Sequence, residues 1–252
     1  MAVFETKGVA MNESFEDDLK IASKILEWEI GDIWGHVGVR LPGQGGIAVK
    51  LFRPPEEEEI EDWIVYFDYS LQKISGVGRI PTEAAIYTEV FKARPDVNAV
   101  AHCHAPMCIA LSMANKSIGT MHLQSKQFSG GVPTFPKPIY IIDDAEGREL
   151  AQTLGQAIAI VIRGHGIVTV GATVQEACFN ALYLERTAKI QAIAQALGFQ
   201  EVDKWFLAQM DETWKKLRAG MGTRDTMVRY EAEWRYYKRK VLRGESWSRG
   251  WV

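Results

Sequence analysis

Residues 99–107 read AVAHCHAPM, and the fold turns on them. An apolar run ends there in His-x-His. A strand alternates its side chains with period two, so His102 and His104 point to one side of a sheet, about 7 Å apart at the backbone. The chain has five histidines and spends two of them at this strand end. Two neutral imidazoles so placed can converge on one divalent cation. They read equally well as solvated polar residues closing a strand. A third ligand decides between the two.

Outward from this strand, helices and strands alternate. Upstream, SFEDDLKIASKILEWEIGD carries Leu19, Ile21, Ala22, Ile25 and Leu26 at helical spacing, with Ser14 as N-cap. HVGVRLP and GGIAVKLFRPP read as strands split by a glycine-rich turn, EEEEIEDW as a solvated helix start or loop, and IVYFDYS as a further strand. A helix is expected from Pro81 to about Arg94, capped by Thr82 and stopped by ARPD. Downstream, residues 108–116 read as a short helix and VPTFPKPIYIID as a proline-interrupted connection into a strand. EGRELAQTLGQA reads as a helix and IAIVIRGHGIVTVG as a strand-turn-strand unit. Thr173 and Glu176 have capping-box spacing and open an amphipathic helix running to Gly198. The alternation implies a layered α/β sheet.

Composition sets bounds. The chain has 252 residues, 47% hydrophobic and 24% charged, with net charge −3. That is ordinary for a globular protein and argues against nucleic acid as a partner. No apolar run reaches the roughly 18 residues that would span a membrane. Cys103, Cys108 and Cys178 form no CxxC pair, so no disulfide framework is expected. The N-terminus is acidic and lacks the apolar core of a secretory signal. The expected compartment is reducing and cytoplasmic.

The third histidine is His165, at the apex of the strand-turn-strand unit between Gly164 and Gly166. Glycines there permit a tight turn and close backbone approach. The plain alternative is a hairpin whose apex happens to be histidine. Three histidines from two strand ends, with an acid nearby, are the usual make-up of a catalytic metal site with one open position.

At this point the residues resemble a family. PTEAAIYTEVFKARPDVNAVAHCHAP, the GHG turn and TVQEACFNALYLERTAKIQAIAQALG are similar to the class II aldolase/adducin family over about residues 14–200. The resemblance implies a three-layer α/β/α fold with a central mixed, mainly antiparallel sheet. It implies that His102, His104 and His165 bind a divalent metal, zinc foremost, with manganese, iron or cobalt as alternatives. It places Glu83 as general acid/base or extra metal ligand. Physically, Glu83 at a helix N-terminus beside a dication is favoured as the carboxylate. The plain reading of Glu83 is a charge complementing the helix dipole.

Sugar-phosphate members of that family carry GNxSxR, a threonine-glycine turn and PSSE. Here the chain reads GHVGVR, with His36 for asparagine and Gly38 for serine, then VKLFRPPE and IPTE. A tyrosine near residue 123 is also absent, the chain reading TMHLQSK. Most donors that would cradle a phosphate are gone. GHVGVRLP, the Arg-Pro-Pro-Glu stretch and EWRYYKRKVLR resemble the decarboxylase-type branch, which acts on hydroxylated aromatic or heteroaromatic carboxylates. The expected function is a metal-dependent carbon–carbon lyase, foremost a decarboxylase working through a metal-stabilised carbanion or enolate. Arg53 and Arg40 are candidate partners for a substrate carboxylate, because a guanidinium can bind one bidentately. The plain readings are a solvated strand end for Arg53 and a structural ion pair for Arg40. Thr82 is a further substrate-binding candidate, and His36 and His122 join Glu83 as proton-carrying candidates. An aldolase for an unphosphorylated hydroxy-keto acid, a non-haem iron oxygenase and an adducin-like binding module are the alternatives.

Residues 1–210 are expected to form the catalytic domain and 211–252 a C-terminal arm. The arm holds Trp214, Trp234, Trp247 and Trp251 among tyrosines, arginines and lysines, the types enriched at interfaces. The family resemblance implies a homotetramer with metal sites at subunit interfaces. Tyr236, Tyr237 or Arg239 would then line a neighbour's pocket. The alternative is an arm folded back on its own domain.

Overall fold

The strand carrying His102 lies inside the sheet. In the computed structural model, which describes residues 13–52, 64–221 and 225–244, β5 (Ala99–Cys103) sits between β1 (His36–Arg40) and β8 (Gly166–Gly171), antiparallel to both. Outside β1 come β2 (Ile47–Leu51), β3 (Ile64–Phe67) and the exposed edge strand β4 (Lys73–Gly76). Outside β8 come β7 (Ala159–Ile162) and the two-residue β6 (Thr134–Phe135). Among the described residues this is an eight-stranded sheet of order β4-β3-β2-β1-β5-β8-β7-β6, antiparallel throughout except for the parallel β6–β7 pair.

Helices cover both faces. On one face α1 (Glu13–Ile30), α3 (Pro106–Met113), α5 (Val174–Ala196) and α7 (Asp225–Leu242) share a core with Val37, Val39, Ala99 and Ala101. On the other, α2 (Ala85–Ala93) and α4 (Asp144–Leu154) pack on Val49, Val65, Val100, Val168 and Val170. Period-two alternation divides β5 between the layers, Ala99, Ala101 and Cys103 to the first and Val100 to the second. His102 shares the α2 face with Val100. Each fully buried Leu, Ile or Phe in these layers contributes roughly 1.5–3 kcal/mol. All three cysteines are buried and unpaired.

Several expectations shift. Helix α2 begins at Ala85 rather than near Pro81, and its cap position, Ala84, makes no side-chain hydrogen bond. Thr82 therefore caps nothing. Residues 81–84 form a turn closed by Ala84 N–H to the Pro81 carbonyl at 3.1 Å, and Glu83 is a turn residue outside the helix. In VPTFPKPIYIID, expected as a connection leading into a strand, only Thr134–Phe135 pair, ahead of Pro136 and Pro138, which cannot donate to a ladder, and residues 139–142 form no strand. Strand β4 carries no apolar alternation to announce it. Thr173 does cap α5, accepting from Glu176 N–H at 3.2 Å.

The expected boundary at residue 210 falls inside α6 (Lys204–Met221). Trp234 and Tyr237 of α7 are buried in the chain's own core, against Phe179. Arg53, the acidic run at 56–63, Trp247 and Trp251 lie outside the described residues. Among those described, no helix is long and apolar enough to cross a membrane.

Candidate metal centre

Three local structures bring three histidines together. His102 is the penultimate residue of β5, and His104 follows as the chain turns into α3. His165 sits in the turn from β7 to β8, closed by its own N–H to the Ile162 carbonyl at 3.0 Å. Gly164 in that turn has φ +68°, a conformation that favours glycine. The antiparallel β5–β8 register brings this turn to the end of β5, pairing Cys103 with Ile167. The ring centroids of the three histidines then lie 5.1–5.2 Å apart.

Each Nδ1 is held by an acceptor. His102 donates to the Ile167 carbonyl at 3.0 Å, His165 to the Ile139 carbonyl at 2.9 Å, and His104 to Asp32 Oδ2 at 2.9 Å. A carbonyl cannot donate, so Nδ1 of His102 and of His165 carries the proton. In the neutral rings Nε2 then presents a lone pair. Burial pushes His102 down from its ordinary pKa, favouring that neutral form.

The Nε2 atoms of His102 and His165 are buried without a hydrogen-bond partner. Glu83 Oε2 faces them at 3.3 and 3.5 Å, while Glu83 Oε1 accepts from Ile141 N–H at 2.9 Å. One ligand atom from each of Glu83, His102, His104 and His165 lies within 4.8 Å of the others. Each buried polar atom left unsatisfied costs about 1–3 kcal/mol. A divalent cation held there would engage these atoms, and three imidazoles with a carboxylate are a donor set that suits zinc and other borderline metals.

Asp32 completes the support. Burial alone would raise its pKa, but bonds from the His104 ring, the His104 N–H and the Trp34 N–H outweigh that and hold it down to about 2. His104 in turn is raised, Asp32 outweighing the effect of burial. This carboxylate–imidazole pair fixes the orientation of a prospective ligand. The sequence reading passed over Asp32. Its only signal is an acid just past the helix stop at Gly31, and it acquires meaning once β5 lies beside it.

A cavity of about 590 Å³ opens over the cluster. Trp34, His36, Arg79, Thr82, Glu83 and Tyr140 line it, together with His104. His36 is paired directly with His102 across β1 and β5, and burial holds it down to about 3, hence neutral. Tyr140 stands edge-on to His165 with centroids 5.2 Å apart.

Other expected site residues lie elsewhere. Arg40 donates through Nη2 to the carbonyls of Phe91, Arg94 and Val97, and through Nη1 to the Tyr69 hydroxyl. It closes the C-terminal end of α2 and cannot serve as a carboxylate partner. His122 opens the short turn Leu123–Phe128, with Nδ1 2.9 Å from Gln124 Oε1 and Nε2 3.4 Å from the Thr187 hydroxyl. It is not among the residues lining the cavity. Tyr237 bonds Arg186 and Glu29 of the same chain, while Tyr236 is exposed.

The chain belongs to the class II aldolase and adducin family: residues 28–192 match the Class II Aldolase and Adducin N-terminal domain. It is similar to 3,4-dihydroxyphthalate decarboxylase of Arthrobacter keyseri, with 23% identity over 80% of this chain and 87% of that protein. The enzyme of the same name from Terrabacter sp. is 28% identical over 67% of this chain and 75% of its own length. Among solved structures, L-fuculose 1-phosphate aldolase from Glaciozyma antarctica PI12 shares the fold, with TM-score 0.73 and 23% identity over 92% of this chain and 91% of that one.

Proposed function

We propose that this protein is a metal-dependent carbon–carbon lyase that decarboxylates a hydroxylated aromatic carboxylate. The observation that carries the reading is the convergence of His102 and His165 Nε2 lone pairs and the Glu83 carboxylate, beside His104, under a cavity walled by Trp34 and Tyr140. The names of the dihydroxyphthalate decarboxylases support it. A divalent cation held by the three histidines, zinc foremost, would act as a Lewis acid that withdraws charge from a hydroxylated ring.

The chain's own residues do the rest. Trp34 and Tyr140 offer aromatic faces to a planar ring. Arg79, a cation lining the cavity together with Thr82, is the carboxylate partner in this reading, in place of Arg40. Glu83, anchored through Oε1 by Ile141 N–H, keeps Oε2 for proton transfer. It accepts the proton of the substrate hydroxyl and returns it to the ring carbon from which CO₂ departs. One carbon–carbon bond breaks, one carbon–hydrogen bond forms, and the bonding pair stays on the ring.

The test loads purified protein with Zn²⁺ or Mn²⁺ and offers hydroxyphthalates, hydroxybenzoates and hydroxy-keto acids. CO₂ release from the aromatic acids is expected, and Glu83→Gln should keep the metal while turnover falls by about 10² or more. Aldehyde or pyruvate without CO₂ would instead assign an aldolase.

A further inference from the structure

His36 and Gly38 are the two places where β1 departs from the sugar-phosphate motif, and the structure joins them through a third residue. Tyr87, on α2, is fully buried, and its hydroxyl lies 2.6 Å from His36 Nδ1. Its ring lies against β1 at Gly38. A Cβ on residue 38 would stand 2.6 Å from the Tyr87 ring and 2.7 Å from Val49 Cγ2, closer than such atoms approach. A serine at position 38 would therefore push this ring away. The hydroxyl at this part of β1 is the one Tyr87 brings in from α2.

The hydrogen-bond accounting at Tyr87 has one solution. Among the described residues its hydroxyl has no partner but His36 Nδ1. Suppose Nδ1 carried a proton and donated to the tyrosine oxygen. The phenolic proton would then be buried without an acceptor, at a cost of about 1–3 kcal/mol. If the phenol donates instead, Nδ1 is the acceptor and every proton is placed. A neutral imidazole accepting at Nδ1 carries its proton on Nε2, the nitrogen Tyr87 leaves unengaged, on a ring that lines the cavity.

We infer that Tyr87 is a positioning residue: it donates its hydroxyl proton to His36 Nδ1, fixing His36 as the neutral Nε2–H tautomer and making it a hydrogen-bond donor to a ligand oxygen in the cavity. His36 thereby differs in kind from its neighbour. His102 holds its proton on Nδ1 and offers a lone pair at Nε2, whereas His36 accepts at Nδ1 and donates from Nε2. Paired across one register position, the two rings give the cavity one donor to a cation and one donor to a substrate oxygen. The ligand class is a carboxylate or phenolate oxygen. The tautomer assignment holds whichever reaction the site performs.

The test reads the proton directly. Long-range ¹H–¹⁵N correlation spectra of the ¹⁵N-histidine-labelled protein, assigned with His36→Asn, should show a pyridine-like Nδ1 and a pyrrole-like Nε2 for His36. The Tyr87→Phe variant, which keeps the ring in place, should give a mixture of tautomers and bind salicylate about 10-fold more weakly with zinc content unchanged. Gly38→Ser should scramble the tautomer in the same way, and it serves if Tyr87→Phe folds poorly. A pyrrole-like Nδ1 in the unmodified protein, or a tautomer unmoved by Tyr87→Phe, would overturn the inference. Failure of the decarboxylation reading would appear as absent CO₂ release with these spectra intact.

Discussion

The strand-end cluster and the C-terminal helices are both rich in residue types associated with function, and they behave in opposite ways. At the cluster, chemically useful atoms are left unsatisfied: two buried Nε2 lone pairs face a carboxylate oxygen. In α7 the suggestive residues are satisfied within the chain. Tyr237 bonds Glu29 and Arg186, Tyr183 bonds Glu233, and Trp234 stacks edge-on against Phe179. A buried polar atom without a partner points to a ligand, whereas an aromatic with a full set of neighbours points to a core. Composition alone does not separate the two.

Experiments can break or sharpen that contrast. The largest effect is expected at the cluster. His165→Ala should lose bound divalent metal, with affinity falling by more than the 10- to 100-fold typical of a supporting residue. Metal analysis and a competition titration with a chromogenic chelator read the result, and stoichiometric zinc in the variant would dissolve the site. In α7, Trp234→Ala should cost about 3–5 kcal/mol of stability, the usual range for a buried tryptophan, while zinc affinity in the folded protein stays put. Urea denaturation measures it. A loss of assembly with no loss of stability would instead return α7 to the interface role read from its composition.

Asp32→Asn lies between the extremes. It keeps the shape but removes the charge behind His104, so metal affinity should fall by about 10- to 100-fold. It also has a pH signature in the metal-free protein. Asp32 is held down to about 2 in the fold, against about 4 in an unfolded chain. A depressed carboxyl stabilises the fold above its unfolded pKa and loses that contribution as pH falls from about 4 toward 2. The difference in stability between Asp32→Asn and the unmodified protein should therefore be full at pH 6 and shrink near pH 2. A pH-independent difference would break the Asp32–His104 assignment. The smallest effect belongs to Tyr236→Ala: its side chain is 47% exposed, and a change within about 0.5 kcal/mol is expected. Its neighbour Tyr237, 8% exposed, supplies the internal control.

What could be read beforehand follows the range of the interactions involved. The three metal-ligand candidates were legible because each sits on a local pattern. Two positions of one strand share a face by period two, and one hairpin apex is flanked by glycines. The Thr173 cap needed only residues within one turn. Helix α2 was placed near the right residues, but its start was not, because the turn at 81–84 is held by Glu83 reaching Ile141 N–H, 58 positions away. Arg40 was expected at a substrate because a strand sequence does not reveal which helix end its guanidinium will meet.

The sequence by itself determined the alternation of helices and strands, the family, and the histidines and acid that converge. Those follow from periodicity and from motifs within short windows. Only the tertiary structure decided which side chains support the site and which merely resemble site residues. Asp32 behind His104, Tyr87 behind His36, and Arg79, Trp34 and Tyr140 around the cavity come from four separate places in the chain. His122, Arg40 and Tyr237 are drawn off to hold a turn, a helix end and a core. The reason is physical. A side chain's chemistry is fixed by its type, but its role is fixed by what satisfies its hydrogen-bonding atoms, and those partners are chosen by folding.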